Sequence, residues 1–290
     1  MERVRRSPAI ALALALAVAT PCLSACGPSA PTSKAQPKVA PPVIKEAGVL
    51  RAGVDLSYPP FAGVDHGRDA GIDIDVASAL AGRLGLSVEF VDVKASQIAT
   101  AISQGDVDIA MSAPFSADVL SRATIAGTYL SDGPALFTRD ASGSVNASAP
   151  LDGLDGVKVG TQGGSEAYWR LADELGATNV VSYDSLRDAL NGLSQSEVEY
   201  VGGDALVGAY IARDLPGVRY AGAIAPAHLL GVAVAADNTK LADAVRQTLD
   251  SLAGDGALDT IRSKWVDALP KLPLTSGDES PAQGATTSTP

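Results

Sequence analysis

Thiols and imidazoles are almost missing from this chain. Its 290 residues include two cysteines, Cys22 and Cys26, and two histidines, His66 and His228. The cysteines lie four residues apart near the N-terminus and cannot staple a fold, and with two distant histidines they cannot assemble a zinc cluster. Aromatic residues make up only 4%. Basic residues are outnumbered, 22 Lys+Arg against 33 Asp+Glu, for a net charge of −11. That balance excludes a nucleic-acid binder, which needs a basic face to meet phosphate. No apolar run reaches the roughly 20 residues that cross a bilayer as a helix. Neither a Ser/His/Asp set, nor metal-ligand spacing, nor a phosphate loop can be found. No cofactor is therefore expected.

What is present is enough apolar material, 46%, to bury a real core. The length suits one large or two small domains. Arg3, Arg5 and Arg6 open the chain, and a short apolar stretch runs from Ala9 to Thr20. Small residues follow, in the order of a secretory signal. The stretch Leu23-Ser24-Ala25-Cys26 resembles the bacterial lipobox, in which the cysteine is lipidated and becomes the mature N-terminus. Residues 1–25 are thus expected to be a signal, with Cys26 the lipidation site and the outer face of the cell membrane the location. Residues 26–46, rich in Ser, Pro, Ala and Lys, are expected to be a disordered tether, and residues 273–290 a disordered tail.

Between them, strand and helix alternate. Strands are expected at 50–54, 88–93 and 107–111, with helices at 73–84 and from Ser96 to Gly105. After residue 150 the alternation resumes: strands at 157–160, 180–183 and 198–201, and helices at 166–175, 186–193 and 205–213. Such alternation implies parallel sheets covered by helices. Residues 102–108 (ISQGDVD) are echoed at 193–199 (LSQSEVE), an offset that suggests two lobes of similar plan. The apolar stretches Ala135–Asp140 and Leu230–Ala235 are candidates for a two-strand hinge. Lobe 1 is then 47–134 and 236–272, and the hinge strands with lobe 2 are 135–235. Leu241, Ala244, Val245 and Leu249 share one face of a closing helix that should pack on the protein.

The segment Ala52-Gly53-Val54-Asp55-Leu56-Ser57-Tyr58-Pro59-Pro60-Phe61, followed by Gly71-Ile72-Asp73-Ile74-Asp75, resembles the opening of the family 3 extracellular solute-binding proteins. Further matches follow in order: Gln104-Gly105-Asp106-Val107-Asp108, residues 157–165, Tyr183-Asp184-Ser185-Leu186, residues 198–204, Asp255-Gly256-Ala257 and Lys264-Trp265. Together they span about 47–266. The resemblance implies an α/β, two-lobe periplasmic-binding-protein-like type II fold with a two-strand hinge and a ligand cleft between the lobes. It also implies a role as the receptor of an ABC importer, working with a membrane permease.

In open α/β sheets, ligands sit beyond the C-terminal ends of strands. Asp55, Tyr58 and Phe61 lie in such a loop, and the two rings offer flat faces to an aliphatic chain or an ammonium group. The resemblance implies that Asp204 meets the ligand's α-ammonium and that Asp55 meets a basic side chain. From the residues alone, Asp204 could equally be the N-cap of the helix that follows it. Gly163-Gly164-Ser165-Glu166 enters a helix, where free N–H groups and the Ser165 hydroxyl suit a carboxylate. Glu166 either faces the cleft or complements the helix dipole. Ser112 follows the third strand and is a further candidate. The family's Thr-Pro-Glu-Arg pattern, whose Arg pairs with the ligand carboxylate, is broken here, because Val119 or Leu120 stands at the expected position. Arg122 is the nearest substitute. A cleft with Asp55, Glu166 and Asp204 but no aligned Arg suits a cation: a basic amino acid, or an amine without an α-carboxylate.

The expected chain is a monomeric, lipid-anchored binding protein and not an enzyme. The alternatives are a cyclohexadienyl-dehydratase-like enzyme on the same fold, for which Glu166 is the available acid, and a receptor signalling to a membrane sensor kinase. His66 and His228 are expected to be exposed. Replacing Cys26→Ser is expected to move the protein from the membrane fraction to the soluble one after cell fractionation. Unchanged processing and membrane retention would refute the lipidation site.

Overall fold

The computed structural model describes residues 36–139, 148–149, 151, 153–154, 156–267 and 269–274. Residues 1–25, expected to be a signal, and Cys26 lie outside the described residues. So do residues 27–35 and Asp140.

The chain begins with β1 (Val49–Val54), a hairpin of β2 (Gly63–Asp65) and β3 (Arg68–Ala70), and α1 (Ile72–Leu84). It continues with β4 (Ser87–Asp92), α2 (Ile98–Gln104), β5 (Ile109–Pro114), α3 (Ala117–Arg122) and β6 (Ala123–Asp132). Next come β7 (Pro134–Thr138), β8 (Val159–Gln162), α4 (Glu166–Leu175), β9 (Val180–Tyr183), α5 (Leu186–Ser194), β10 (Tyr200–Asp204), α6 (Ala205–Ala212) and β11 (Arg219–Ala223). β12 (His228–Ala235), α7 (Thr239–Gly254) and α8 (Ala257–Val266) close it.

Two five-stranded sheets result, ordered β4-β1-β5-β12-β6 and β11-β7-β10-β8-β9. This is the expected α/β, two-lobe plan. The sheets are mixed, however, and not purely parallel: β12 runs antiparallel to β5 and β6, and β7 runs antiparallel to β10 and β11. The reason is that the chain passes between sheets by extended crossings without a helix. One crossing is the single residue Gly133, and the other is residues 224–227. The expected hinge stretches therefore sit inside the sheets on either side. Ala135–Thr138 belongs to β7, and Leu230–Ala235 belongs to β12 of the first sheet.

The echo at 102–108 and 193–199 has a backbone counterpart. α2 ends on Gly105 at φ 69°, and the matching Ser196 after α5 has φ 65°. Each helix stops by a left-handed residue before the next strand enters its sheet. Ser96 does not cap α2: it lies in a 3₁₀ turn, Ala95–Gln97, that precedes the helix.

Part of the expected tether is packed. Ile44 and Val39 are buried, the Lys38 amide donates to the Leu84 carbonyl, and the Asn238 amide group donates to the Val43 carbonyl. Three apolar residues, Val39, Val43 and Ile44, hold this Pro-rich arm against α1 and α7. At the other end Ala227 pairs with Leu274, so two residues of the expected tail are ordered as well.

Small residues set the spacing of the second lobe. Gly208 of α6 faces the fully buried Phe137 of β7, and a Cβ there would fall 2.2 Å from the ring. Alanine is normally the better helix former, but here no methyl group fits. Gly208→Ala is expected to destabilise the protein by about 1–3 kcal/mol. The readout is a lower urea midpoint with an unchanged slope.

Candidate functional site

Between the two sheets lies a cleft of about 330 Å³. Asp55, Tyr58, Phe61, Ser112, Glu166 and Asp204 all line it, six of the residues singled out from sequence. Ser165 and Arg122 do not. Ser165 is the N-cap of α4, its hydroxyl accepting from the Tyr168 amide at 3.1 Å. Arg122 is exposed at the end of α3, its guanidinium 3.4 Å from the Thr100 hydroxyl of α2. At the position expected for the family's arginine, Val119 is buried and Leu120 is exposed, both in α3. Ser116 caps α3.

The first wall is the turn after β1. Asp55 accepts from the Ser57 amide at 3.0 Å and the Ser57 hydroxyl at 2.6 Å, a side-chain turn that ends the strand. The rings of Tyr58 and Phe61 stack with centroids 5.1 Å apart and planes 3° apart. Phe61 is buried beneath, while Tyr58 is 45% exposed and faces the opening.

The floor is a three-residue network that sequence reasoning missed in part. Ser112 has φ 48°, uncommon for a residue with a side chain. Its amide donates to the Tyr129 hydroxyl at 2.8 Å and its hydroxyl donates to Asp73 at 3.0 Å. The Tyr129 hydroxyl also donates to Asp73, at 2.5 Å. Asp73 sits in the first turn of α1 and is buried. Burial pushes its carboxyl up to about 6, against the two hydroxyl donors that lower it.

The junction of the lobes holds two more carboxylates. Asp204 ends β10, but its side chain makes no cap bond to α6. It is turned toward the cleft, where the Tyr58 hydroxyl donates to it at 3.3 Å. The capping is done from the other lobe: Asp132, at the end of β6, accepts from the Leu206 amide at 3.0 Å and from the Gly133 amide at 2.9 Å. Burial and the neighbouring Asp204 push Asp132 up to about 7. Burial raises Asp204 too, and the Tyr58 hydroxyl partly opposes this.

Across the mouth, His228 Nε2 of β12 stands 3.6 Å from Glu166 Oε1 of α4. His228 thus lines the cleft, more than half exposed; His66 sits at the tip of the β2–β3 hairpin, more exposed still. Five carboxylates line the site, from Asp55, Asp73, Asp132, Glu166 and Asp204, and among the described lining residues there is no Lys or Arg. Asp132 stands in no pattern that would single it out, and Asp73 lies within the Gly71–Asp75 motif without being distinguished there from Asp75. Each acquires its role from partners far away in the chain.

A model of the bacterial extracellular solute-binding proteins, family 3, matches residues 50–268. The L-arginine-binding protein of Pseudomonas aeruginosa is 25% identical over 232 residues, covering 74% of this chain and 87% of the relative. The L-cystine-binding protein TcyA of Bacillus subtilis is 24% identical over 226 residues, covering 77% and 82%. Among solved structures, an ancestral cationic amino acid solute-binding protein superposes with a TM-score of 0.64 at 27% identity, covering 76% of this chain and 96% of that one.

The raised carboxyls set a sign for pH dependence. Asp73 and Asp132 hold protons in the folded state that the unfolded chain releases near the ordinary carboxylate value, about 4. Their contribution to stability is therefore complete at low pH and is lost as pH rises to about 6 and about 7. Asp132→Asn keeps an oxygen for the two amides and removes the titration. Urea unfolding at pH 5 and pH 8 is expected to show a smaller loss of stability across this range in the variant than in the wild type. An equal loss would refute the assignment.

Proposed function

The chain belongs to the bacterial extracellular solute-binding proteins, family 3, and on that premise we propose that it is the receptor of an ABC importer, holding an amino acid or small amine by a cationic group in the cleft. The observation that carries this reading is the acidity of the lining: five Asp and Glu side chains and, among the described lining residues, no Lys or Arg to meet an α-carboxylate. Asp204 is free of helix capping and can accept from an ammonium group, with Asp132 behind it. The stacked Tyr58–Phe61 face covers the apolar part of the ligand. Ser112, fixed by Asp73 and Tyr129, shapes the floor.

The mechanism is closure. Tyr58 and Asp55 come from one lobe, and Asp204 and Glu166 from the other, so a ligand meets both sets only when the lobes come together. Ligand then shifts the open–closed equilibrium by its preference for the closed form. A permease reads the closed form. Cys26 anchors the monomeric receptor to the membrane, and no chemical step is assigned to the cleft. Glu166, the acid a dehydratase would require, is more than half exposed and faces His228, which speaks for binding over turnover.

Calorimetry is expected to give tighter binding for cationic amines and amino acids than for L-glutamate. Asp204→Asn is expected to weaken the ligand that binds best by about 2 kcal/mol or more, since it removes one partner of a desolvated charge pair. Preferred binding of L-glutamate would overturn the cationic reading.

A further inference from the structure

One cleft carboxylate differs from the others in already having a cation. Lys94 follows β4 and lies between two lining residues, Val93 and Ala95. Its Nζ donates to Asp55 Oδ1 at 2.9 Å, to the Ser57 hydroxyl at 3.1 Å and to Asp92 Oδ1 at 3.2 Å. An ammonium group has three donors, and all three are spent. The backbone holds this arrangement from both sides. The Val93 amide donates to the Val54 carbonyl at 2.8 Å, and the Leu56 amide donates to the same Asp92 oxygen at 3.1 Å. On the other side, Asp55 Oδ1 takes the Lys94 ammonium and both Ser57 donors. Its carboxyl is held down at about 2, the hydrogen bonds from Ser57 and Lys94 outweighing the opposing effect of burial.

Among the described residues, no lysine or arginine pairs with the remaining acids of the cleft. Asp204 has the Tyr58 hydroxyl, Asp132 has backbone amides, and Asp73 has the Tyr129 and Ser112 hydroxyls. The cleft is thus divided. One end, at Asp132 and Asp204, is acidic and unneutralised by a cation. The other end, at Asp55, carries a built-in ammonium group where a second ligand cation would have to sit.

We propose that Lys94 is a specificity-determining residue that occupies the Asp55 end of the cleft, so that the ligand carries one cationic group, held at the Asp132–Asp204 end, and a neutral group at the other. A ligand with a second cation must displace Lys94 from Asp55 or accept like-charge repulsion beside it. This rests on the proposed binding role of the cleft and narrows its ligand class from cations in general to ligands with a single cationic group. The closest chemical comparison is a pair of molecules of equal shape that differ at the distal end only in charge.

The test is calorimetry on the mature protein with two such pairs: L-arginine against L-citrulline, and putrescine against 4-aminobutan-1-ol. The wild type is expected to bind the neutral-ended member of at least one pair at least as tightly as its dicationic partner. Lys94→Met is expected to shift the ratio by about tenfold or more toward the dicationic member, the scale of one charge-assisted hydrogen bond. Lys94→Arg is expected to keep the wild-type ratio. Adding Asp55→Asn to Lys94→Met is expected to abolish the gain, as the coupling in a double-mutant cycle requires. Lys94 is a half-exposed side chain, and thermal unfolding of each variant checks that the fold is intact. An unchanged ratio in Lys94→Met, with binding retained, overturns the role of Lys94 and leaves the binding reading standing. Absence of binding to all four compounds in wild type and variants overturns both.

Discussion

Asp132 is the residue on which both lobes depend. It ends the last strand of the first sheet before the chain crosses through Gly133, and its carboxylate caps the helix that follows Asp204 in the second lobe. One side chain thus ties β6 to the start of α6 across the junction. The Ala205 amide adds a bond to the Gly133 carbonyl, and the Ile224 amide a bond to the Pro134 carbonyl. The same capping has a consequence for the cleft. Because Asp132 satisfies the amides at the start of α6, Asp204 is released from them and is turned to the cleft. A helix start that would ordinarily use its own preceding aspartate uses one from another lobe, and the spare carboxyl group is left facing the cleft.

The floor follows the same logic of displaced partners. A seryl residue at φ 48° is held there because its amide and hydroxyl are both claimed, one by Tyr129 and one by Asp73. A buried carboxylate is costly unless it is hydrogen-bonded, and Asp73 meets that condition through hydroxyls and not through a cation. A network of this kind fixes geometry without adding positive charge to the site. That leaves the acidic character of the cleft intact.

Much of the architecture could be read in advance, because it rests on local signals. The strand–helix alternation, the apolar face of α7 and the repeated helix stop at Gly105 and Ser196 are properties of short windows. The six cleft residues that were anticipated lie beside strand ends, where the loops of such sheets converge. What escaped depends on long-range pairing. Asp73, Tyr129 and Ser112 meet over 39 and 56 residues of separation, and Asp132 meets Leu206 over 74. The arm at 36–46 has the composition of a linker, and three apolar residues are enough to dock it where α1 and α7 leave a groove. Arg122 failed for a related reason. Residue type suggested a carboxylate partner, but α3 directs it toward α2 and away from the cleft.

The shortage of basic residues gains a spatial meaning in the folded chain. With 22 Lys+Arg among 290 residues, where each one points matters more than the total. Arg51 is buried against Asp108 and the Gly105–Asp106 carbonyls, holding β1 to the turn before β5. Lys45 reaches the same turn from the arm. Lys264 binds Asp75 at the back of α1. Structural sites outside the cleft take up these cations, and among the described residues Lys94 is the one that reaches a cleft acid. The cleft lining itself holds five acidic side chains, one of them met by Lys94, so acid outnumbers base where the lobes meet.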